Sequence, residues 1–285
     1  MRSTTLETET HSPAVRPGTA VVTGASSGIG DEYAARLAAM GHDLVLVARR
    51  THRLTRLAER LQGEYGVRAE TVTADLAEAD DLAKVAERVA GPDVTLLVNN
   101  AGINGYGPFT EVDPQLQARV AAVNVTAPTV LARAALPGMI ERGHGALINV
   151  ASLLAFSGGM PTRPGMGRAV YASTKSYLVT FSRILAGELG ADSPVRVQVV
   201  CPGYTATEFH LTQGDRPVDG DTPIAEGDGM SAPDVVTASL AALRTGEIVC
   251  IPGLTDPAAL EQLGTAEAEI RTAMGGQLAS RYQDA

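Results

Sequence analysis

A doubly wound α/β fold, a single domain around one parallel sheet, is predicted by three observations. Short runs rich in Val, Leu and Ile recur from residue 19 onward, these runs are almost continuously apolar, and longer segments of helical period separate them. Continuous apolarity implies burial on both faces, as in a parallel sheet covered by helices. Repeated strand and helix alternation is the pattern that builds such a sheet. The 285 residues suffice for one large core.

Seven strands are expected in order. They are TAVVTG (19–24), HDLVLVA (42–48), AETVTA (69–74), VTLLVNN (94–100), ALINVAS (146–152), VRVQVVC (195–201) and EIVCIPG (247–253). Helical stretches follow the first three strands: IGDEYAARLAAMG, THRLTRLAERLQGEYG and LAEADDLAKVAERVAG, each ending at a glycine able to form a C-cap. Two segments break the rhythm, 156–169 and about 206–230, both rich in Gly, Pro and charge; loops this long are usually functional lids or disordered insertions. Residues 1–17 read as a polar, disordered leader, so the folded domain is expected over 18–285. Within a C-terminal helical segment near 256–285, Leu260, Leu263, Ile270 and Met274 recur at helix-like intervals, as a stripe packing on its own domain or an arm reaching another subunit.

Composition narrows the partners. A net charge of −9 argues against nucleic acid. No apolar run approaches the ~18 residues that span a bilayer, and the N-terminus lacks the apolar core of a signal peptide, so no membrane is expected. Cys201 and Cys250, the only cysteines, sit in apolar runs and should be buried reduced thiols, which suits a cytoplasmic setting. No metal site is expected.

The stretch TGASSGIG (23–30) follows a strand and opens a helix, the context of a nucleotide loop. Glycines permit the tight turn, and the helix N-terminus offers N–H groups to a pyrophosphate. No lysine of a Walker loop is present. The second strand ends in Ala48, Arg49 and Arg50, where an NAD site carries a carboxylate for the ribose hydroxyl. Guanidinium groups there suit the 2′-phosphate of NADP(H); alternatively they begin a solvated helix with Arg53 and Arg56. In YASTK (171–175), Tyr171 and Lys175 leave one helix face. A nearby ammonium is expected to lower the tyrosine pKa from ~10 and give an acid or base suited to a carbonyl or alcohol.

Together these motifs, in order from about residue 18 to residue 253, resemble the short-chain dehydrogenase/reductase family, with its Rossmann fold. The loop pattern falls on Thr23, Gly24, Gly28 and Gly30, with Ser26, Ser27 and Ile29 between. The resemblance implies adenine contacts at Asp75 and Leu76, nicotinamide ribose contacts along Asn99, Asn100, Ala101 and Gly102, and carboxamide contacts along Pro202, Gly203, Thr205 and Thr207. It implies that Tyr171 exchanges the proton, Lys175 lowers its pKa and binds the ribose, Ser152 donates to the oxyanion, and Asn124 anchors a proton-relay water. Nineteen positions separate Ser152 from Tyr171, more than the family usually shows; Ser157 restores a typical spacing, but the strand-end context favours Ser152.

The implied activity is an NADP(H)-dependent ketone reductase. Its alternatives are an NADP-dependent alcohol dehydrogenase and a non-catalytic sensor or scaffold. Ile103, Tyr106, Leu153, Leu154, Tyr204 and Phe209 are expected around the substrate, an apolar lining for a hydrophobic carbonyl or alcohol, while His210 reads as a solvated or packing residue. The resemblance also implies a homodimer or homotetramer.

Overall fold

The computed structural model describes residues 17–160, 167–213, 216–217, 229–273 and 275–282. Most of the leader, the middle of the 156–169 segment, most of 214–228 and Met274 lie outside the described residues. The chain divides into two compact units, one ending at Pro252 and one beginning at Gly253.

The first unit is the expected sheet. Its strands are β1 (Thr19–Thr23), β2 (Asp43–Ala48), β3 (Ala69–Thr73), β4 (Val94–Asn99), β5 (Gly145–Val150), β6 (Val195–Val200) and, after the short antiparallel pair β7 (Thr212–Gln213) and β8 (Arg216–Pro217), β9 (Val249–Cys250). The order is β3-β2-β1-β4-β5-β6-β9 and every pairing is parallel. Burial follows the apolar runs: all of β1 is buried, while β3, at the edge, has only half-buried and exposed residues. The last strand pairs through only two residues, Val249 and Cys250, shorter than the 247–253 run suggests.

Helices cover both faces. They are α1 (Gly28–Ala39), α2 (Thr51–Tyr65), α3 (Ala79–Val89), α4 (Pro114–Ala121), α5 (Ala127–Arg142), α6 (Ala169–Leu189) and α7 (Ala232–Thr245). One core joins Val22, Leu46 and Ile148 to α1, α2 and α7; the other joins Val21, Leu97 and Leu147 to α3 and α5. Helix α2 ends as expected at Gly66, in the left-handed region at φ +65°. Helix α3 instead ends at Ala90 in right-handed geometry, so Gly91 is not its left-handed cap.

A buried polar bridge ties the two ends of the chain: the Tyr33 hydroxyl donates to Ser239 Oγ at 2.6 Å, which donates to Gln198 Oε1 at 2.6 Å. Both cysteines are free and buried, and burial pushes each thiol up to about 12. Residues 114–142 run as one helical stretch through a π-helical turn at Ala122–Thr126, long and apolar enough by length and composition to cross a membrane. Its α5 part buries Leu131, Ala135 and Met139 in the core instead.

The second unit carries α8 (Ala258–Thr272), which includes Leu260, Leu263 and Ile270, and a 3-10 turn at Ser280–Tyr282.

Candidate active site

The carboxyl ends of β1 and β4, where the strand order reverses, form the crevice in which doubly wound sheets bind ligands. The loop after β1 is shaped by glycines. Gly24 takes φ +67°, and a Cβ on Gly30 would lie 2.3 Å from the Gly24 carbonyl oxygen and 2.5 Å from Asn100 Nδ2. Asn100 holds that turn closed, its Nδ2 donating to the Thr23 carbonyl at 2.9 Å, while Thr23 Oγ1 accepts from the Asn100 and Ala101 backbone N–H groups at 3.0 Å. Asn100 is thus a brace of the loop, and Ile29 and Leu76 turn their side chains into the core. Ser27 starts α1 without capping it. Its hydroxyl accepts from Arg50 Nη2 at 2.7 Å.

Arg50 is the hub of this end of the site. Its Nε and Nη2 also donate to Ser26 Oγ at 3.1 and 2.9 Å, and its Nη1 donates to Glu208 Oε2 at 3.0 Å. Arg53 shares the same carboxylate oxygen at 2.7 Å. Arg49 is exposed and within electrostatic reach of Asp75, Arg119 and Arg50. Asp75 caps its own turn through the Ala77 N–H at 3.0 Å and pairs with Arg119 of α4. A cavity of about 810 Å³ opens beside Ser26, Ser27 and Gly28, bounded by Arg53, Thr207 and Glu208.

At the other end, α6 presents Tyr171 and Lys175, 5% and 3% exposed. Lys175 Nζ donates to the Val150 carbonyl at 2.9 Å and lies 5.6 Å from the centre of the Tyr171 ring. Burial pushes this ammonium down to about 8. Asn124, 1% exposed, sits in the π-helical turn, and its side-chain amide pairs with both backbone groups of Ile103 at 3.0 Å. Its Nδ2 also reaches Thr174 Oγ1, which donates to the Tyr171 carbonyl. A Cβ on Gly102 would lie 3.4 Å from both Asn124 Oδ1 and Lys175 Nζ, so a glycine keeps the space between those groups clear.

Ser152, two residues past the end of β5, caps the start of a 3-10 turn (Leu153–Phe156), accepting from the Leu154 N–H at 3.2 Å. The Tyr171 phenol lies close enough to Ser152 and Tyr106 for both to act on its ionisation. Ser157 closes the 3-10 turn four residues past Leu153. Ser176 donates to the Ala155 carbonyl at 2.5 Å, fastening the turn to α6. Burial is the largest influence on the Tyr171 phenol and pushes it well above the usual tyrosine range, with the Tyr106 charge adding to the rise. The opposing influences are Ser152 and Arg168 rather than the expected Lys175. The physical reason is desolvation: a phenolate in this apolar setting loses more hydration than its neighbours return.

The expected substrate lining is met in part. Tyr106 packs edge-on against Tyr171 at 5.3 Å between ring centres, and Phe209 lies 5.6 Å away on a 3-10 turn (Glu208–Leu211). Ile103 does not line it, since it packs with Val120 and Val123 beneath. Tyr204 is 62% exposed and faces His210 at 6.0 Å. Pro202 is buried, its carbonyl accepting from the Leu153 N–H at 2.8 Å, while the exposed Gly203 follows. Thr205 turns its hydroxyl to the Gly203 carbonyl, and the Thr207 methyl lies 3.0 Å from the position of a Cβ on Gly28.

Sequence reasoning missed Arg119, Arg168 and Glu208. Arg168 lies 5.2 Å over the Tyr106 ring, and Gly107 N–H donates to the Gly167 carbonyl at 2.8 Å, so the exit of the 156–169 segment is pinned to the loop carrying Tyr106. A Cβ on Gly167 would collide with the Gly107 carbonyl, a contact only a glycine allows. The Gly-rich composition of that segment was the available signal.

The short chain dehydrogenase family model matches residues 18–216. A short-chain dehydrogenase from Sphingobium yanoikuyae, solved in complex with NADPH, is 36% identical with a TM-score of 0.83, over 93% of this chain and all of that one. The bulky-bulky ketone specific alcohol dehydrogenase from Comamonas testosteroni is 32% identical with a TM-score of 0.82, over 94% and 100%. Very-long-chain 3-oxoacyl-CoA reductase-B of Danio rerio is 33% identical over 67% of this chain. The chain spans 54% to 60% of the length of such curated relatives. With the parallel sheet, the glycine loop and the Tyr171–Lys175 pair on one helix, the family match over 18–216 establishes that this chain belongs to the short-chain dehydrogenase/reductase family of oxidoreductases.

Proposed function

We propose that the chain reduces an apolar ketone to a secondary alcohol with NADPH, the same residues serving the reverse reaction. The observation that carries this is the buried Tyr171 phenol, held in its protonated form beside Ser152 and one helical turn from Lys175. A protonated phenol is the group a carbonyl oxygen needs as it gains charge.

The chain fits the cofactor. Gly24 and Gly30 leave room for close backbone approach, α1 starts without a side-chain cap at Ser27, and Arg49, Arg50 and Arg53 gather where a 2′-phosphate would lie. Reduced nicotinamide, when bound, supplies hydride to the carbonyl carbon. Tyr171 donates its hydroxyl proton to the carbonyl oxygen, and Ser152 steadies that oxygen with a second hydrogen bond. Lys175, with its pKa down at about 8, is suited to return a proton to Tyr171 near neutral pH. Asn124 acts as the fixed support behind Lys175, its amide locked on Ile103. Tyr106 and Phe209 supply an apolar wall beside Tyr171, which favours a bulky, uncharged substrate. A homodimer or homotetramer belongs to this reading, supported by the family resemblance and by Val130, Ile140 and Ile184, exposed on α5 and α6.

The test is a panel of bulky ketones and the matching alcohols assayed with NADPH, NADH and their oxidised forms. Turnover of apolar ketones with NADPH is expected, and Tyr171→Phe should lower it by about a hundredfold or more while cofactor affinity stays within about twofold. Full activity in that variant refutes the proton role; tight cofactor binding with no turnover of any substrate favours a sensor.

A further inference from the structure

We propose that Glu208 is a specificity-determining residue: its carboxylate occupies the arginine pair that a 2′-phosphate needs, and links that end of the cofactor site to the wall over Tyr171. The inference rests on assigning Arg50 to the 2′-phosphate.

Every described side-chain hydrogen bond of Arg50 is made to an oxygen of this site. Nε and Nη2 serve Ser26, Nη2 serves Ser27, and Nη1 serves Glu208, whose same oxygen also takes Arg53 at 2.7 Å. Four of the five N–H groups of the fork are committed, so a phosphate that engages Nη1 together with Nε or Nη2 has to displace one of these partners. The serine hydroxyls are neutral and can turn to donate to it. The carboxylate cannot, because it accepts only and carries like charge, so it is the partner that leaves. A plain 2′-hydroxyl brings no charge and does not compete. Glu208 therefore weakens NADP(H) binding and leaves NAD(H) binding untouched, narrowing a preference that the arginines alone would make wider.

The link to catalysis lies in the neighbours of Glu208. Thr207 leans its methyl over Gly28, Phe209 packs 5.6 Å from the Tyr171 ring, and the Phe209 carbonyl accepts from Asn104 Nδ2 at 2.9 Å. Residues 208–211 form a single 3-10 turn, so releasing Glu208 shifts the segment that carries Phe209. Both arginine contacts also hold the Glu208 carboxyl below its ordinary pKa, Arg53 more than Arg50, which keeps it charged and competing at neutral pH.

The test is calorimetric titration of the full chain and of Glu208→Gln with NADPH, NADH and adenosine 2′,5′-bisphosphate, with 5′-AMP as the control lacking the 2′-phosphate. Glu208→Gln should tighten NADPH and the bisphosphate about three- to tenfold and leave NADH within about twofold. A second measurement, amide hydrogen exchange over residues 204–211, reads the link. In the wild type, the bisphosphate should speed exchange there and 5′-AMP should not. In Glu208→Gln, exchange should already be fast and unresponsive. If neither the wild type nor Glu208→Gln binds NADPH more tightly than NADH, the 2′-phosphate assignment fails and this inference falls with it. If the wild type prefers NADPH but Glu208→Gln leaves the preference unchanged, or weakens NADPH as Arg50→Gln would, Glu208 only positions the arginines. That result overturns the competition and leaves the cofactor assignment standing.

Discussion

Replacing Gly30 by alanine probes the nucleotide loop most directly. The new Cβ would lie 2.3 Å from the Gly24 carbonyl oxygen, 2.8 Å from its carbon and 2.5 Å from Asn100 Nδ2. Two of these atoms are backbone, so no side chain can swing aside; the loop itself must retreat by roughly 0.7 Å or more to restore ordinary contact. Overpacking of this kind costs about 1–3 kcal/mol. In a unit of this size that corresponds to a Tm lowered by roughly 2–10 °C. The same retreat loosens the Asn100 brace on the Thr23 and Gly24 carbonyls, so cofactor affinity should fall about tenfold or more. Gly63 is the internal control: it lies within α2 and a Cβ there meets nothing within 4 Å. Gly63→Ala should stabilise by about 0.5–1 kcal/mol through helix propensity alone and leave cofactor affinity unchanged. Urea unfolding and calorimetric titration of both variants measure the two quantities. A Gly30→Ala protein as stable and as tight-binding as the wild type would refute the packing argument.

Three further outcomes follow from the geometry. Ser152→Ala should reduce turnover by at least about a hundredfold with folding intact, whereas Ser157→Ala should leave most activity; the opposite pattern in steady-state assays would transfer the oxyanion role to Ser157. Ser239→Ala leaves the buried Tyr33 hydroxyl and Gln198 Oε1 without their shared partner, at about 1–3 kcal/mol per stranded group, read by chemical denaturation. Lys175 has a folded pKa of about 8, below its unfolded value of 10.5, so the cofactor-free folded state binds fewer protons than the unfolded chain between those values. Its penalty on stability is therefore full below pH 8 and is relieved as pH rises toward 10.5. Lys175→Met should be more stable than wild type at pH 7 by denaturant titration, with the difference shrinking as pH rises from about 8 toward 10.5; a difference independent of pH over that range would argue that folding does not lower the Lys175 pKa.

The local motifs read well from sequence because each depends on neighbours in the chain. TGASSGIG between a strand and a helix, and Tyr171 four residues before Lys175, state their geometry in their own spacing. The arginines of VARR were likewise legible as positive charge at the end of β2, where Arg50 meets Ser26, Ser27 and Glu208. Beside the cofactor motifs, Ile29 packs against the core and Leu76 is buried in it, because an apolar residue beside a motif can serve packing and contact with the same side chain. The influence of Lys175 on Tyr171 was misjudged for a related reason. Sequence spacing shows the ammonium but not the burial, and burial is the larger effect.

By itself the sequence determined the parallel sheet, its seven strands, the family motifs and the residues that meet at the crevice, since hydrophobic period and glycine position are local properties of the chain. Only the tertiary structure decided how those residues are held. It placed Asn124 on a π-helical turn aimed at Ile103, set Ser152 beside Tyr171, pinned Tyr106 beneath Arg168, and brought Glu208 onto arginines more than 150 positions earlier in the chain. Such contacts depend on distances between segments that no local pattern encodes, and the packing of the two cores against the sheet sets those distances.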